Sequence, residues 1–239
     1  MLSLVQCATL LVEPYMLLKQ RKKHLRDCSL DPALLGSKLG RGAGHIVFAY
    51  GNDLVVKIPF LKWVKSRLSV LTADDAKKNI DIVKERFEPY ILNSEIHCHE
   101  FSNSYCITQN RVFSFSNLRA DHIVNDLEIA KQFSDILSRN QKLLEEKGYS
   151  LDFFGQEGCI KTTLSALKIC HPQMANLLVA KDSPCRIYIA DSQLFEVKKP
   201  ENERISRRMM AEASRWGFLL NKVFAKSAFG EDIGRTKRK

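Results

Sequence analysis

Three glycines, Gly40, Gly42 and Gly44, stand just before a β-rich run, His45–Tyr50, and a lysine, Lys57, lies inside a second β-rich run, Leu54–Ile58. The turn signal Gly51-Asn52-Asp53 joins the two runs, so they are predicted to form a hairpin with a glycine loop at its mouth. Glycines lack a Cβ, which lets the backbone approach a polyphosphate and offer N–H groups to its oxygens. Strand alternation sends Lys57 the way of Val55 and away from Val56 and Ile58, so its ammonium can face the same phosphates. An ordinary hairpin whose lysine reaches solvent satisfies the same pattern, because short glycine motifs are common.

A second group lies far along the chain. Asn176–Val179 and Arg186–Ala190 are β-rich runs joined through Lys181-Asp182-Ser183-Pro184, and Asp191 follows directly. An amide at the start of one strand and a carboxylate at the end of its partner can converge on one hard cation, since oxygen ligands suit Mg²⁺. Asn176 capping a strand and Asp191 opening a turn is the competing explanation. The seven cysteines are scattered, odd in number and without a C-x-x-C pair, which reads as reduced thiols in an intracellular, cytoplasmic chain. His97-Cys98-His99 places two histidines on one strand face, but no second cluster has a matching spacing, and no zinc site is expected.

These residues need elements to hold them. A chain of 239 residues with 45% hydrophobic content can bury a substantial core. Met1–Val12 is apolar but shorter than the roughly 20 residues of a membrane-spanning helix, and the basic run Lys19–Lys23 follows it. A membrane-surface helix or a helix packed on the first domain both fit this stretch. Thr72-Ala73-Asp74-Asp75 opens a helix in which Ala76, Ile80, Val83 and Phe87 share a face, expected to dock on the hairpin sheet, and Pro89 closes it. Ile91–Glu95 and Tyr105–Gln109 are strand candidates. A long helix is predicted from Asp126 to Lys147 with Gly148 as its stop, and one substantial helix, Arg204–Lys226, near the end. Residues 31–197 carry equal numbers of basic and acidic side chains, so the net charge of +10 belongs to the two ends. That argues against a nucleic-acid groove through the body. It leaves the basic termini free for an acidic partner or weak contact with an anionic membrane, or simply as solvated ends.

In this order, glycine loop, lysine, helix, connector, long helix, Asn and then Asp, the sequence resembles the protein-kinase-like fold family, including its aminoglycoside- and choline-kinase branches, over about Leu35 to Val197. The resemblance implies an α+β, two-lobed fold. Residues 1–35 would be a helical, basic extension, 36–112 a small antiparallel-sheet lobe, 113–226 a reduced, mainly helical lobe, and 227–239 a basic tail. It implies ATP held by Gly40, Gly42 and Gly44, with Val47 over the adenine, Lys57 on the phosphates and the backbone after Tyr105–Gln109 reading the adenine edge. His45 stands where a third glycine is usual. Asn176 and Asp191 would bind Mg²⁺, with Lys57 and Asp191 facing each other across a cleft.

The departures concern catalysis. The family's catalytic aspartate lies five residues before the asparagine, and His171 occupies that place; Asp152 in S-L-D-F-F-G is a carboxylate that could handle the acceptor instead, or an N-cap or turn residue in the loop after the long helix. The aspartate of the D-F-G position is followed by Ser192-Gln193, without the glycine. Asp81 and Glu85 are the acids that could pair with Lys57. Too little chain follows Asp191 for the helices that hold a peptide substrate, which points to a small-molecule or lipid-headgroup acceptor. Two functions follow: an ATP-dependent phosphotransferase, or a pseudokinase-type scaffold that binds nucleotide or a protein partner.

Overall fold

The computed structural model describes residues 18–41, 45–59, 72–99, 105–153, 174–181, 185–198 and 203–228. The chain divides into two compact units, Met1–Lys78 with Asn93–Arg111, and Asn79–Leu92 with Val112–Lys239. Residues 79–92, expected in the small lobe, therefore belong with the second unit.

The first unit is a five-stranded antiparallel sheet. Its strands are β1 (Leu35–Arg41), β2 (His45–Tyr50), β3 (Leu54–Pro59), β4 (Ser94–Cys98) and β5 (Tyr105–Asn110), in the order β1-β2-β3-β5-β4. The expected hairpin is β2–β3, and Gly51 turns it with a φ of 59°, a conformation that costs a residue without a Cβ little. Register then fixes two faces. Val47 sits opposite Lys57, Lys57 opposite Ile107, and Val55 opposite Gln109. Since cross-strand partners share a side, His45, Val47, Lys57, Tyr105 and Gln109 line one face, while Phe48, Tyr50, Val56, Ile58 and Cys106 line the other. The second face is apolar, and a helix, α1 (18–27), covers it with Leu25, followed by Cys28 and Leu30 in the same cluster. The basic run Lys19–Lys23 is thus on a helix packed on the sheet, with Arg21 over the ring of Phe48 at 5.0 Å.

Polar groups at that apolar face include His24, Cys28 and Cys106. His24 Nε2 lies 3.1 Å from the Tyr105 carbonyl and 4.0 Å from Cys28 Sγ. Hydrogen bonding from Cys106 pulls the Cys28 thiol down against the opposing effect of burial, and His24 adds to the pull. The same bond, with burial, pushes Cys106 up.

β4 begins three residues later than the strand expected at Ile91–Glu95. Ile91 instead makes a parallel bridge to Ile189 in the second unit, so pairing there outweighs its β propensity for the sheet.

The second unit begins inside α2 (Ala73–Phe87). Thr72 starts this helix reciprocally: its Oγ1 accepts from Asp75 N at 3.1 Å, and Asp75 Oδ2 accepts from Thr72 N at 3.2 Å. The expected face, Ala76, Ile80, Val83 and Phe87, is buried, and Val83 and Phe87 join the second unit's core with Ile82. The remaining helices are α3 (Ala120–Asn125), α4 (Leu127–Lys147) and α5 (Glu203–Ala228). Asp126 caps α4 by accepting from Glu128 N and Ile129 N, and Gly148 ends it at φ 73°. Strands β6 (Phe115–Leu118), β8 (Met174–Ala180) and β9 (Arg186–Ile189) form one antiparallel sheet, and β7 (Tyr149–Leu151) pairs with β10 (Leu194–Glu196). Trp216 of α5 meets Phe133 of α4 edge to face at 5.5 Å, in a core shared with Phe87, Ile136 and Leu143. Among the described residues no helix is long and apolar enough to cross a membrane. The Met1–Val12 run and the Lys237-Arg238-Lys239 tail lie outside the described residues.

The end of α2 is held by α4. Arg139 donates from Nη1 to the carbonyls of Arg86 and Glu88 at 3.1 and 2.9 Å, and from Nε to Asp135 Oδ2 at 2.8 Å. A cation at a helix C-terminus meets the unsatisfied carbonyls and the negative end of the dipole together. Tyr90 donates its hydroxyl to the same Asp135 oxygen at 2.9 Å. Burial first, then the Asp135 carboxylate, raise the Tyr90 phenol to about 12. A raised phenol favours the folded state fully below its unfolded value near 10, and that contribution disappears as pH climbs towards 12. Denaturant unfolding from pH 8 to 12 should therefore show wild type losing about 1–2 kcal/mol relative to Tyr90→Phe within that window; parallel curves would remove this role for Tyr90.

Candidate active site

The first unit supplies the residues suited to phosphate. Lys57 is 7% exposed in the middle of β3, flanked by β2 and β5, and it shares its sheet face with Val47, as strand alternation requires. Gly40 lies in β1 opposite Val47; a Cβ there would meet nothing within 4 Å, so packing does not demand the glycine. Gly42 and Gly44 lie outside the described residues.

His45, standing in the place of a third glycine, is buried and lies 2.9 Å from the Tyr105 hydroxyl through Nε2, with the two rings edge to face at 5.7 Å. This pair is on the Lys57 face and went unforeseen, although the odd-numbered positions of both strands carry the signal. Gln109 is in the last part of β5. Its peptide lies inside the sheet between Val55 and Ser94, its Nε2 donates to Ser94 Oγ at 3.0 Å, and Asn110 N and Arg111 N are bonded to Asn93 O and Asp53 O.

The second unit brings three polar residues together. Asn176 of β8 donates its backbone N–H to Phe153 O at 3.2 Å, accepts from Ala190 N at 2.8 Å, and donates from Nδ2 to Asp152 O at 2.6 Å. Ala190 is the residue before Asp191, so strand pairing puts Asn176 and Asp191 at neighbouring positions. Leu151 pairs with Leu194, which joins the segment before Asp152 to the segment after Asp191. Helix α4 positions both sides. Asn140 accepts from Leu151 N and donates to Ser150 Oγ, each at 2.9 Å. Gln132 accepts from Ile187 N at 2.9 Å and donates to Cys185 O at 3.2 Å.

This donor set fits a hard divalent cation. With Nδ2 of Asn176 turned to a carbonyl, Oδ1 is the atom left for a metal, and Asp191 retains Oδ2 while Oδ1 accepts from Gln193 N at 3.2 Å. Mg²⁺ takes one or two such oxygens from protein and completes its shell with water and phosphate. Asp152 is half-buried at the end of β7. His171 lies outside the described residues. Of the helix acids expected near Lys57, Glu85 is held by Arg86 and Lys147 at 3.3 and 3.6 Å, and Asp81 is exposed.

No family model matches the chain, and no curated protein sequence matches it. Among solved structures it is similar to choline kinase LicA from Streptococcus pneumoniae, at 13% identity and a TM-score of 0.38, over 90% of this chain and 94% of that one. It is similar also to the GDP and kanamycin complex of APH(2")-IIia, at 12% identity and a TM-score of 0.33, over 56% of this chain and 44% of that one. The chain thus spans less than half the length of that second protein.

The two roles of Asn176 can be separated. Asn176→Asp keeps an oxygen for a cation but removes the N–H that the Asp152 carbonyl accepts, so urea unfolding without metal should show a loss of about 1–3 kcal/mol. Unchanged stability would mean that this bond does not hold the segment.

Proposed function

We propose that the protein is an ATP-dependent, kinase-like phosphotransferase acting on a small-molecule acceptor. In this reading the glycine loop and Lys57 hold the phosphates, and Asn176 and Asp191 hold Mg²⁺. Bound there, the cation would neutralise charge on the transferred phosphoryl group. Asp152 rather than His171 receives the acceptor's proton.

The observation that carries the choice of Asp152 is the bond from Asn176 Nδ2 to the Asp152 carbonyl. It holds the backbone of Asp152 next to Asn176, and the strand before Asp152 pairs with the segment after Asp191. Phosphoryl transfer depends mainly on positioning and electrostatics, so a carboxylate carried on a backbone held at this place is suited to orient a hydroxyl and accept its proton. The sequence spacing points to His171, which lies outside the described residues, and the variants below separate the two.

The test is Mg²⁺-ATP turnover against a panel of hydroxyl and amine acceptors, with nucleotide affinity measured alongside. Asp152→Asn should lower kcat by about 10²–10⁴ while nucleotide affinity holds, Asp191→Ala should abolish the Mg²⁺ dependence of binding, and His171→Ala should leave turnover within a few-fold. Loss of turnover in His171→Ala alone would return the role to the histidine. Nucleotide binding with no turnover of any acceptor by wild type would support the pseudokinase scaffold.

A further inference from the structure

The apolar face of the first unit's sheet carries a group of side chains that the phosphotransferase reading does not use. His24 and Cys28, one helical turn apart, come from the end of α1, and Cys106 comes from β5. All three are buried, and one nitrogen of His24 and the two sulfur atoms lie within 4.8 Å of one another. More imidazole stands close by. His97 of β4 sits directly across from Cys106, and His99 pairs with Asp27 of α1 at 3.5 Å.

Buried thiols often act as small hydrophobes, and the contact of His24 with Tyr105 O gives its ring a partner. That explanation covers each residue singly but not their convergence. An apolar trio would fill the same space without placing an imidazole in a hydrophobic cluster. A tetrahedral Zn²⁺ with bonds of about 2.0–2.3 Å holds its nitrogen and sulfur ligands roughly 3.4–3.8 Å apart. The 4.0 Å between His24 Nε2 and Cys28 Sγ is already near that spacing. Thiolate and imidazole together favour zinc over the hard cations suited to the carboxylate and amide of the second unit.

We propose that His24, Cys28 and Cys106 form a Zn²⁺ site that fastens α1 to β5, with the fourth position open to a donor from the side where His97 and His99 lie. The ligands come from distant parts of the sequence, which is why no C-x-x-C spacing announces them. Binding through Nε2 replaces the contact to Tyr105 O, and the thiols give up their protons. The role is structural: the metal would fix the N-terminal helix to the strand that bears Tyr105 and Gln109. It is independent of the phosphotransferase reading, because no residue is shared.

The test uses the full-length chain, reduced, stripped with a chelator and titrated with Co²⁺ and then Zn²⁺. One equivalent of Co²⁺ should give tetrahedral ligand-field bands with thiolate charge transfer, Zn²⁺ should displace them, and Zn²⁺ should raise the Tm. Cys28→Ala and Cys106→Ala should each lose the bands, whereas Cys98→Ala, which removes an exposed thiol outside the group, should keep them. Should either variant fail to fold, X-ray absorption of the zinc-loaded wild type decides, with two sulfur ligands expected in the first shell. Absence of the bands in wild type, their survival in Cys106→Ala, or a shell without sulfur would overturn the proposal. A Cys28–Cys106 disulfide that forms equally with and without Zn²⁺ would overturn it in favour of a redox pair.

Discussion

A β-strand has two sides, and the first unit depends on keeping them distinct. Along β2, β3 and β5 the even-numbered positions build an apolar face under α1, while the odd-numbered ones bring His45, Val47, Lys57, Tyr105 and Gln109 to the other. Burial of Phe48, Val56 and Ile58 contributes about 1.5–3 kcal/mol each relative to exposure, which pins the register. A slip of one residue would drive the Lys57 ammonium under α1 and bring Val56 and Ile58 to the polar side. The chemistry of one face is therefore secured by the packing of the other.

In the second unit the corresponding work falls to α4. Its buried face, including Ile129, Phe133, Ile136 and Leu143, supplies core, and its partly buried polar residues hold neighbours by their backbones. Gln132 fixes the start of β9, Asn140 fixes β7, and Arg139 closes the end of α2. Side-chain amides and a guanidinium satisfy peptide groups that lack sheet or helix partners, and leaving such groups unpaired would cost about 1–3 kcal/mol each. One helix thus positions the strand before Asp152 and the hairpin that leads to Asp191.

Much of this was legible from the sequence because local patterns determine it. The β2–β3 hairpin, the T-x-x-D start of α2, the Asp126 cap and the Gly148 stop all follow from neighbours a few positions apart. What escaped depends on partners distant in the chain. Ile91 has strand propensity, yet Ile189 decides where it pairs. The apolar stripe of α2 shows that Val83 and Phe87 are buried without saying against which unit. His24, Cys28 and Cys106 have no spacing that signals their meeting, and Gln109 reads as the end of a strand although the ladder continues past it. The bond from Asn176 to the Asp152 carbonyl likewise spans 24 positions that no local pattern connects.

That bond joins residues 24 positions apart. By closure entropy alone, doubling the length of such a connection costs only about 0.6 kcal/mol, because the penalty grows with the logarithm of length. The two bonds that Asn176 makes to Asp152 and Phe153 are of the size to offset it. The interval between these residues can therefore drift in length over evolution at little thermodynamic cost, while the strand pairing on either side keeps its ends in place. A search that scores fixed intervals would pass over a chain of this kind, and one that scores strand partners would not.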